Sequence, residues 1–197
     1  TFPIHKVKLI CDDFSLKKHD EVHPFKSNIT EWLKPIIDLS EFSYLYPING
    51  ITEGLNYWLM QEDRRVKTKN DDYAWVPQSD VGEVMYISCP SSIDGNYCDI
   101  PTNMPVVIDI AHVGSASMQK IEISPNVEKV FFSLSKCFGL RNYRIGYYWS
   151  RTPDILLDKL IGSGKYYNYH SRQLGESVIK QVKLDEVHNE LVMYQQT

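Results

Sequence analysis

The residues best suited to chemistry in this sequence follow one apolar segment. Residues 129–133 read Lys-Val-Phe-Phe-Ser, a composition typical of a buried β-strand. Ser135 and Lys136 come soon after it, and Arg144 follows eight residues after the lysine. A lysine amine becomes a nucleophile toward carbonyl groups when burial or nearby cations lower its pKa. Hydroxyl groups and a guanidinium are good donors to an anion, so this loop carries a potential nucleophile and potential anion ligands.

Other patterns in the sequence do not predict a site. Ser133 and Lys136 also satisfy the Ser-x-x-Lys pattern of penicillin-binding enzymes, but no Lys-Thr-Gly follows them. Residues 162–165 read Gly-Ser-Gly-Lys, but they lack the first glycine of a P-loop and a tyrosine replaces its Ser or Thr. Residues 19–23 contain two histidines at helical spacing without a third ligand, and a proline follows at once. We interpret 162–165 as a turn and 19–23 as a solvated segment.

The extended form of the lysine motif is the most specific pattern in the chain. Residues 133–146 read Ser-Leu-Ser-Lys-Cys-Phe-Gly-Leu-Arg-Asn-Tyr-Arg-Ile-Gly. This string resembles the motif Ser-x-Ser-Lys-x-x-Gly-x-x-x-x-Arg-x-Gly of the fold-type I pyridoxal-phosphate enzymes, the aspartate aminotransferase superfamily. The resemblance implies that Lys136 forms a Schiff base with pyridoxal 5'-phosphate (PLP), and that Ser133 and Arg144 hold the cofactor phosphate. Ser135 is implied to be a further cofactor-binding residue.

An acid ends the preceding apolar segment. Residues 105–110 read Pro-Val-Val-Ile-Asp-Ile, and a carboxylate at the end of a buried strand is unfavourable unless it meets a cation or several donors. The resembled family has Asp-x-Ala-Tyr-x-Gly here, and its aspartate pairs with the protonated pyridine nitrogen. The resemblance implies this role for Asp109, with a plain strand-end carboxylate as the alternative. His112 replaces the family's tyrosine and is implied to donate to the phenolic oxygen of the ring.

A third segment matches the family over a shorter length. Residues 50–58 include Thr52, which can cap the start of a helix. The resemblance implies that Gly54, Leu55 and Asn56 bind the cofactor phosphate at this helix end, where partial positive charge favours an anion. A capped core helix without a ligand is the alternative.

Two further positions depart from the family pattern or leave a choice. Ser92 is implied to replace the asparagine that donates to the phenolic oxygen of the ring. About sixteen residues separate Ser92 from Asp109, too few for a full crossover helix, so an abbreviated connection is predicted. The resemblance also requires an aromatic ring stacked on the cofactor, either Tyr73 or Trp75, which would share a face if they lay in a strand. A core aromatic is the alternative for each.

These side chains need a sheet that brings the ends of several segments together. Strands are predicted at 6–11, 83–88, 105–110, 129–133 and 145–150, with a weaker one at 64–68. Helices are predicted at 29–39, 52–61, from a hydroxyl cap at Thr152, and over 171–193. Apolar strands without alternation are typical of parallel strands covered on both faces. The fold class is therefore α/β, a three-layer α/β/α arrangement with a mostly parallel sheet, as in the PLP-dependent transferase-like large domain.

The composition excludes several classes of partner. The 197-residue chain has a formal net charge of -4 with both signs interspersed, which argues against nucleic acid or an anionic membrane surface. Its apolar runs are far shorter than the roughly 20 residues that cross a bilayer, so no membrane partner is expected. Its four cysteines lack CxxC spacing and predict reduced thiols in a cytoplasmic protein.

The expected organisation is a single PLP-binding large domain over residues 1–197. It would comprise an N-terminal segment and helix (1–50), a cofactor-binding core (51–150) and C-terminal helices (151–197). Relatives in the resembled family continue into a smaller C-terminal domain, which we expect this sequence to lack. The resemblance implies an aminotransferase-like enzyme that acts on an amino acid or other primary amine, with a keto acid as second substrate, in a homodimer. A truncated PLP-binding or scaffold domain without turnover is the alternative, because both ring donors, Ser92 and His112, are changed.

Overall fold

A mixed β-sheet forms the centre of the computed structural model, which describes residues 5–15, 27–69, 72–162 and 168–195. The strands are β1 (Tyr44–Ile48), β2 (Val66–Thr68), β3 (Val84–Ser88), β4 (Val106–Asp109), β5 (Val127–Ser133) and β6 (Gly146–Ser150). The helices are α1 (His5–Asp12), α2 (Ile29–Leu33), α3 (Ile51–Gln61), α4 (Ile155–Gly162), α5 (Tyr169–Gln181) and α6 (Glu186–Gln195). The solvated segment predicted at 19–23, and residues 163–165 of the predicted turn, lie outside the described residues.

The sheet order is β1-β6-β5-β4-β3-β2 in the described part of the chain. Strands β2 to β5 run parallel, whereas β6 is antiparallel to both β5 and β1. The predicted α/β class with a mostly parallel sheet is confirmed. Because the parallel strands end at one edge, their register brings Ser88 beside Asp109, and Asp109 beside Phe131 in β5.

The core lies on both faces of this sheet. Phe132 and Trp149 belong to a buried cluster that includes residues of α1, α2, α5 and α6. Their strand neighbours Phe131 and Tyr148 belong to a second cluster that includes residues of α3 and α4. Successive residues of a strand point to opposite faces, so β5 and β6 supply both clusters and complete three layers. Within the described residues, no helix combines the length and the apolar character that a membrane span needs.

The N-terminal part departs from the prediction in two places. Residues 6–11 form helix α1 rather than a strand, because the buried side chains Val7 and Ile10 are three residues apart and lie on one helix face. Strand β1 was not predicted, since it contains Pro47. Proline has no backbone N–H to donate to a neighbouring strand, so it is disfavoured inside a sheet. The structure accommodates Pro47 because β1 is an edge strand paired with β6.

Three helix boundaries also differ from the prediction. Helix α2 ends at Leu33 rather than at residue 39, because Pro35 has no N–H to donate to the Glu31 carbonyl, as a continued helix would require. Helix α4 is capped by Asp154 rather than Thr152, since its Oδ1 accepts the Leu157 N–H at 2.9 Å. The long helix predicted over 171–193 is two helices, which separate at Val182, where the backbone is extended. Its apolar spacing continues through the break because two of the connecting residues, Val182 and Leu184, are also buried.

Candidate functional site

A cavity of about 570 Å³ opens at the carboxyl ends of β3, β4 and β5. This volume suits a small molecule, since such sites commonly measure roughly 300–1,000 Å³. Of the predicted site residues, the structure brings eight to this cavity: Tyr73, Ser92, Asp109, His112, Ser133, Ser135, Lys136 and Arg144. The other four, Gly54, Leu55, Asn56 and Trp75, are absent from the lining among the described residues.

Asp109 is a buried carboxylate at the end of β4. Its side chain is only 5% exposed, and it accepts hydrogen bonds from the Tyr86 hydroxyl and the Ala111 N–H, both at 2.8 Å. Burial raises the pKa of Asp109 to about 6, although these two donors and the Lys136 ammonium act in the opposite direction. A cation placed against this carboxylate would relieve the cost of its burial.

The two serines of the loop after β5 differ in what their hydroxyls can still bind. The Ser133 hydroxyl donates to the Ile145 carbonyl at 2.9 Å and accepts the Ser135 N–H at 3.0 Å, so it closes the turn. The Ser135 hydroxyl is buried and has no hydrogen-bond partner within the described residues. An unsatisfied buried hydroxyl is unfavourable. Ser135 is therefore the serine whose donor remains free for a ligand.

Lys136 lies beside an aromatic ring at the mouth of the cavity. Its Nζ is 5.9 Å from the centre of the Tyr73 ring, and the Tyr73 hydroxyl is 2.9 Å from Thr52 Oγ1. Lys136 is an exposed residue rather than a buried one. Its environment is set by the aromatic ring and by the other charged groups of the cavity.

The backbone conformation of residues 72–76 determines which of the two aromatic residues, Tyr73 or Trp75, lines the cavity. Residues 72–76 form a turn rather than a strand, so Tyr73 and Trp75 do not share a face. Trp75 is 54% exposed, and its indole N–H donates to Asn56 Oδ1 at 2.7 Å, away from the cavity. Tyr73 is the aromatic ring of the two that can cover a ligand.

Arg144 lies against the start of helix α3. It has a φ of 54°, which is uncommon for a residue other than glycine and often marks a functional position. A Cβ atom on Gly50, whose φ is 83°, would lie 2.7 Å from Arg144 Nη2. Residues 50–52 line the cavity, and no described side chain caps this helix end. The guanidinium and the free helix N–H groups together favour an anion.

The predicted phosphate-binding residues of α3 lie one turn too far along the helix. A Cβ atom on Gly54 would lie 2.6 Å from Ile48 Cδ1 and 2.8 Å from Phe131 Cε1, so this glycine lets α3 pack closely on the sheet. Leu55 is fully buried in the core, and Asn56 is exposed. Sequence spacing identified the helix, but residues 50–52 are the part of it that reaches the cavity.

Replacing Gly54 by valine is expected to lower the free energy of unfolding by about 1–3 kcal/mol, because the added carbons collide with the packed Phe131 ring. Replacing Met60, which lies on the same helix and is 75% exposed, by alanine is the matched control and should change it by less than about 0.5 kcal/mol. Urea denaturation of the two variants measures both effects. Equal stability of Gly54→Val and the parent chain would contradict the packing role.

Asp72 is a cavity residue that the sequence reasoning missed. It is 8% exposed and accepts hydrogen bonds from Ser88 Oγ at 2.5 Å, Ser88 N–H at 3.0 Å and Ser92 Oγ at 3.1 Å. The Ser92 hydroxyl is therefore committed to a carboxylate. The sequence does show an acid beside the two aromatic residues. Its hydrogen-bond partners lie 16 and 20 residues further along the chain, so local spacing could not identify it as a site residue. Arg141, an exposed residue, also lines the cavity and was not predicted.

His112 is half-buried in the same cavity. Burial lowers its pKa, the Lys136 ammonium lowers it further, and Asp72 acts in the opposite direction. A neutral imidazole can donate through one ring nitrogen and accept through the other. The described residues contain no cluster of three or more His, Cys, Asp or Glu side chains arranged to hold a metal ion.

Several solved structures with a similar fold are aminotransferases. Histidinol-phosphate aminotransferase from Sinorhizobium meliloti, in complex with pyridoxal-5'-phosphate, matches 99% of this chain with a TM-score of 0.63 and 15% identity. Alanine aminotransferase from Pyrococcus furiosus matches 100% of it with a TM-score of 0.67 and 13% identity. The chain has the aminotransferase fold.

This aminotransferase fold extends over part of each solved protein. An aminotransferase from Staphylococcus aureus matches 98% of the chain with a TM-score of 0.64 and 12% identity. The chain spans about two thirds of these proteins, 66% of the S. meliloti and P. furiosus chains and 67% of the S. aureus chain. No protein-family model and no curated protein sequence matches it. The resemblance found in the sequence is therefore confirmed for the fold.

Proposed function

We propose that this chain binds PLP in the cavity and acts as an aminotransferase-like enzyme on an amino acid or other primary amine, with a keto acid as amino-group acceptor. One observation carries the proposal: Lys136, Asp109 and Arg144, from three separate segments, line one cavity of about 570 Å³. The aminotransferase fold supports it, as does the PLP bound to the S. meliloti enzyme.

The residues present fit the three polar groups of the cofactor. Ser135, Arg144 and the N–H groups of residues 50–52 are suited to the phosphate, because Ser135 lacks another partner and the helix end is uncapped. The buried Asp109 carboxylate is suited to the protonated ring nitrogen. Lys136 supplies the amine for the aldehyde. A bound phosphate and a cationic ring would relieve the unsatisfied hydroxyl and the buried charge together.

The proposed roles of the side chains follow from their places in the cavity. When bound, PLP supplies an electron sink for charge that develops at the substrate α-carbon. Lys136 Nζ would hold the cofactor and then move a proton at that carbon. Asp109 would keep the ring nitrogen protonated. Because the Ser92 hydroxyl donates to Asp72, His112 is the remaining donor of the two that the resemblance implied for the phenolic oxygen.

An absorption experiment tests the function and separates it from the alternative. Purified protein should become yellow with PLP, and one member of an amino-acid panel should convert the cofactor to its pyridoxamine form. Binding without conversion would indicate a PLP-binding domain without turnover, an alternative favoured by the Ser92–Asp72 hydrogen bond. A protein that takes up no PLP would contradict the proposed cofactor.

Replacing Arg144 by glutamine is expected to weaken PLP binding roughly tenfold to a hundredfold, because a charge-assisted hydrogen bond contributes about 1.5–3 kcal/mol. Folding should change little, since glutamine meets the same backbone strain at this φ as arginine does. Equilibrium titration with PLP measures the affinity, and thermal unfolding with and without PLP measures stability. An equal loss of melting temperature in both states would contradict a phosphate-binding role.

A homodimer and a cytoplasmic location complete the proposal. All four cysteines are free, which supports a reducing compartment. The homodimer rests on the family resemblance, in which active sites are completed across a two-fold interface. Light scattering of the purified chain measures the oligomeric state directly, and a monomeric mass would contradict this part of the proposal.

A further inference from the structure

Two cysteines face each other across the loop that follows β3. The Ser91 N–H donates to the Asn96 carbonyl at 2.8 Å, and the Gly95 N–H donates to the Ser91 carbonyl at 3.0 Å, so residues 91–96 form a closed turn. Cys89 comes two residues before this turn and Cys98 two residues after it. The closure therefore brings the two flanking segments side by side.

The contacts of the two sulfur atoms are reciprocal. Cys89 Sγ lies 3.6 Å from the Cys98 carbonyl oxygen, and Cys98 Sγ lies 3.7 Å from the carbonyl oxygen of Ser88, the residue before Cys89. The neighbouring Cys98 thiol lowers the pKa of Cys89 to about 7, and Cys89 in turn raises the pKa of Cys98. The two thiols therefore titrate as a pair.

The other two cysteines lack this arrangement. The Cys137 thiol is buried and donates to the Val113 carbonyl at 2.9 Å, and burial raises its pKa to about 11. Cys11 is half-buried on α1, and burial raises its pKa. Because the thiolate is the reactive form, both should be less reactive than the pair.

We propose that Cys89 and Cys98 form a site of reversible oxidation, in which a low-molecular-weight disulfide converts the two thiols to an intrachain disulfide. The inference rests on the packing of the two sulfur atoms and does not depend on the proposed function. Cys98 is partly exposed and can meet the reagent, whereas Cys89 is only 1% exposed and lies behind it.

The exchange proceeds in two balanced steps. Once Cys89 has lost its proton to solvent, Cys98 passes its own proton to the Cys89 sulfur, and the Cys98 thiolate attacks one sulfur of the reagent disulfide, which forms a mixed disulfide and releases one thiolate. Cys89 then loses its proton to solvent and attacks the Cys98 sulfur, which releases the second thiolate. The protein is oxidised by two electrons, and the reagent disulfide is reduced to two thiols.

The bond would tie the loop to the end of β3 at the wall of the cavity. The same loop carries Ser92, whose hydroxyl donates to Asp72 at 3.1 Å. An oxidised pair would therefore limit movement of the chain segment that presents Ser92 to the cavity.

Incubation of the whole chain with oxidised glutathione, alkylation of the remaining thiols, digestion and mass spectrometry test the proposal. The expected result is a linked peptide that contains Cys89 and Cys98 and is lighter by two hydrogen atoms, with loss of two of the four free thiols. Reduced glutathione should reverse the change. Circular dichroism before and after treatment establishes that the protein is folded.

Two variants provide the controls. Cys98→Ser should give no linked peptide, whereas Cys11→Ser should give the same linked peptide as the parent chain. Full alkylation of both Cys89 and Cys98 at every concentration of oxidised glutathione would overturn the proposal. Separate glutathione adducts on the two cysteines, or a link from either to Cys11 or Cys137, would overturn it as well.

Discussion

Replacement of Lys136 by alanine is expected to abolish covalent attachment of PLP to this chain. Lys136 is the lysine that lines the cavity with Asp109 and Arg144 in the described residues. An imine to the cofactor aldehyde needs a primary amine at this place, and alanine supplies none. The parent chain should keep its yellow colour after desalting, and borohydride should fix the cofactor to the peptide that contains Lys136. The variant should show neither signal.

Lys129 supplies a demanding control for this experiment. It lies on β5 as well, it is half-buried, and burial lowers its pKa, so it is a second amine with enhanced nucleophilicity. It lines a different cavity, together with Glu128 and Arg151. Lys129→Ala should therefore leave the attachment of PLP unchanged. A reduced adduct on Lys129, or retention of the colour in Lys136→Ala, would contradict the assignment of Lys136.

Replacement of Asp109 by asparagine is expected to make the cofactor-free protein more stable at neutral pH. The pKa of Asp109 is about 6 in the folded chain, above the ordinary value of 3.8, because burial disfavours the charged form. The folded state therefore binds this proton more tightly than the unfolded state does. The stabilisation is complete below about pH 4 and is lost as the pH rises through about 6. At neutral pH the buried charge lowers stability by an amount on the order of 3 kcal/mol.

Asparagine keeps the hydrogen bonds while it removes the charge. Its Oδ1 can accept the Ala111 N–H, and its Nδ2 can donate to the Tyr86 hydroxyl oxygen. Urea denaturation of both proteins without PLP, from acidic to neutral pH, should show a stability difference that grows through pH 6. Equal stability of the two proteins at neutral pH would contradict a charged, unpaired Asp109.

The same substitution should have the opposite effect on the cofactor. Without a carboxylate the protonated ring nitrogen loses its partner, so PLP affinity should fall roughly tenfold to a hundredfold, as for loss of a charge-assisted hydrogen bond. Titration with PLP measures this change. Unchanged affinity in Asp109→Asn would place the ring nitrogen elsewhere in the cavity.

Local sequence pattern predicted the strands that carry the site. The apolar runs at 105–110 and 129–133 became β4 and β5, because a central strand covered on both faces needs apolar residues throughout. The pattern failed for α1, where a short apolar run fits a strand and a helix equally well. It failed for β1 because the proline is acceptable only at a sheet edge, and edge position is a property of the whole sheet.

Only part of the candidate site could be predicted from the sequence, because spacing shows only those residues that are close along the chain. The motif from Ser133 to Arg144 lies on one loop, so its spacing was visible in the chain. Asp72 was not visible as a site residue, because its partners Ser88 and Ser92 come from another segment. The spacing also could not show which of the two serine hydroxyls is free to bind a ligand. The answer depends on the hydrogen bond from Ser133, at the end of β5, to the carbonyl of Ile145, the residue before β6.

The order of residues along the chain was sufficient to determine the layered class of the protein and to single out the lysine, acid and arginine that line one cavity. Those properties depend on composition and spacing within single segments. Only the tertiary structure decided that Tyr73 rather than Trp75 reaches the cavity, that residues 50–52 are the part of α3 at its wall, and that the segments carrying Cys89 and Cys98 lie side by side. Each of these outcomes depends on which segments pack together, because a side chain's surroundings are set by neighbours in space that can be far apart in the sequence.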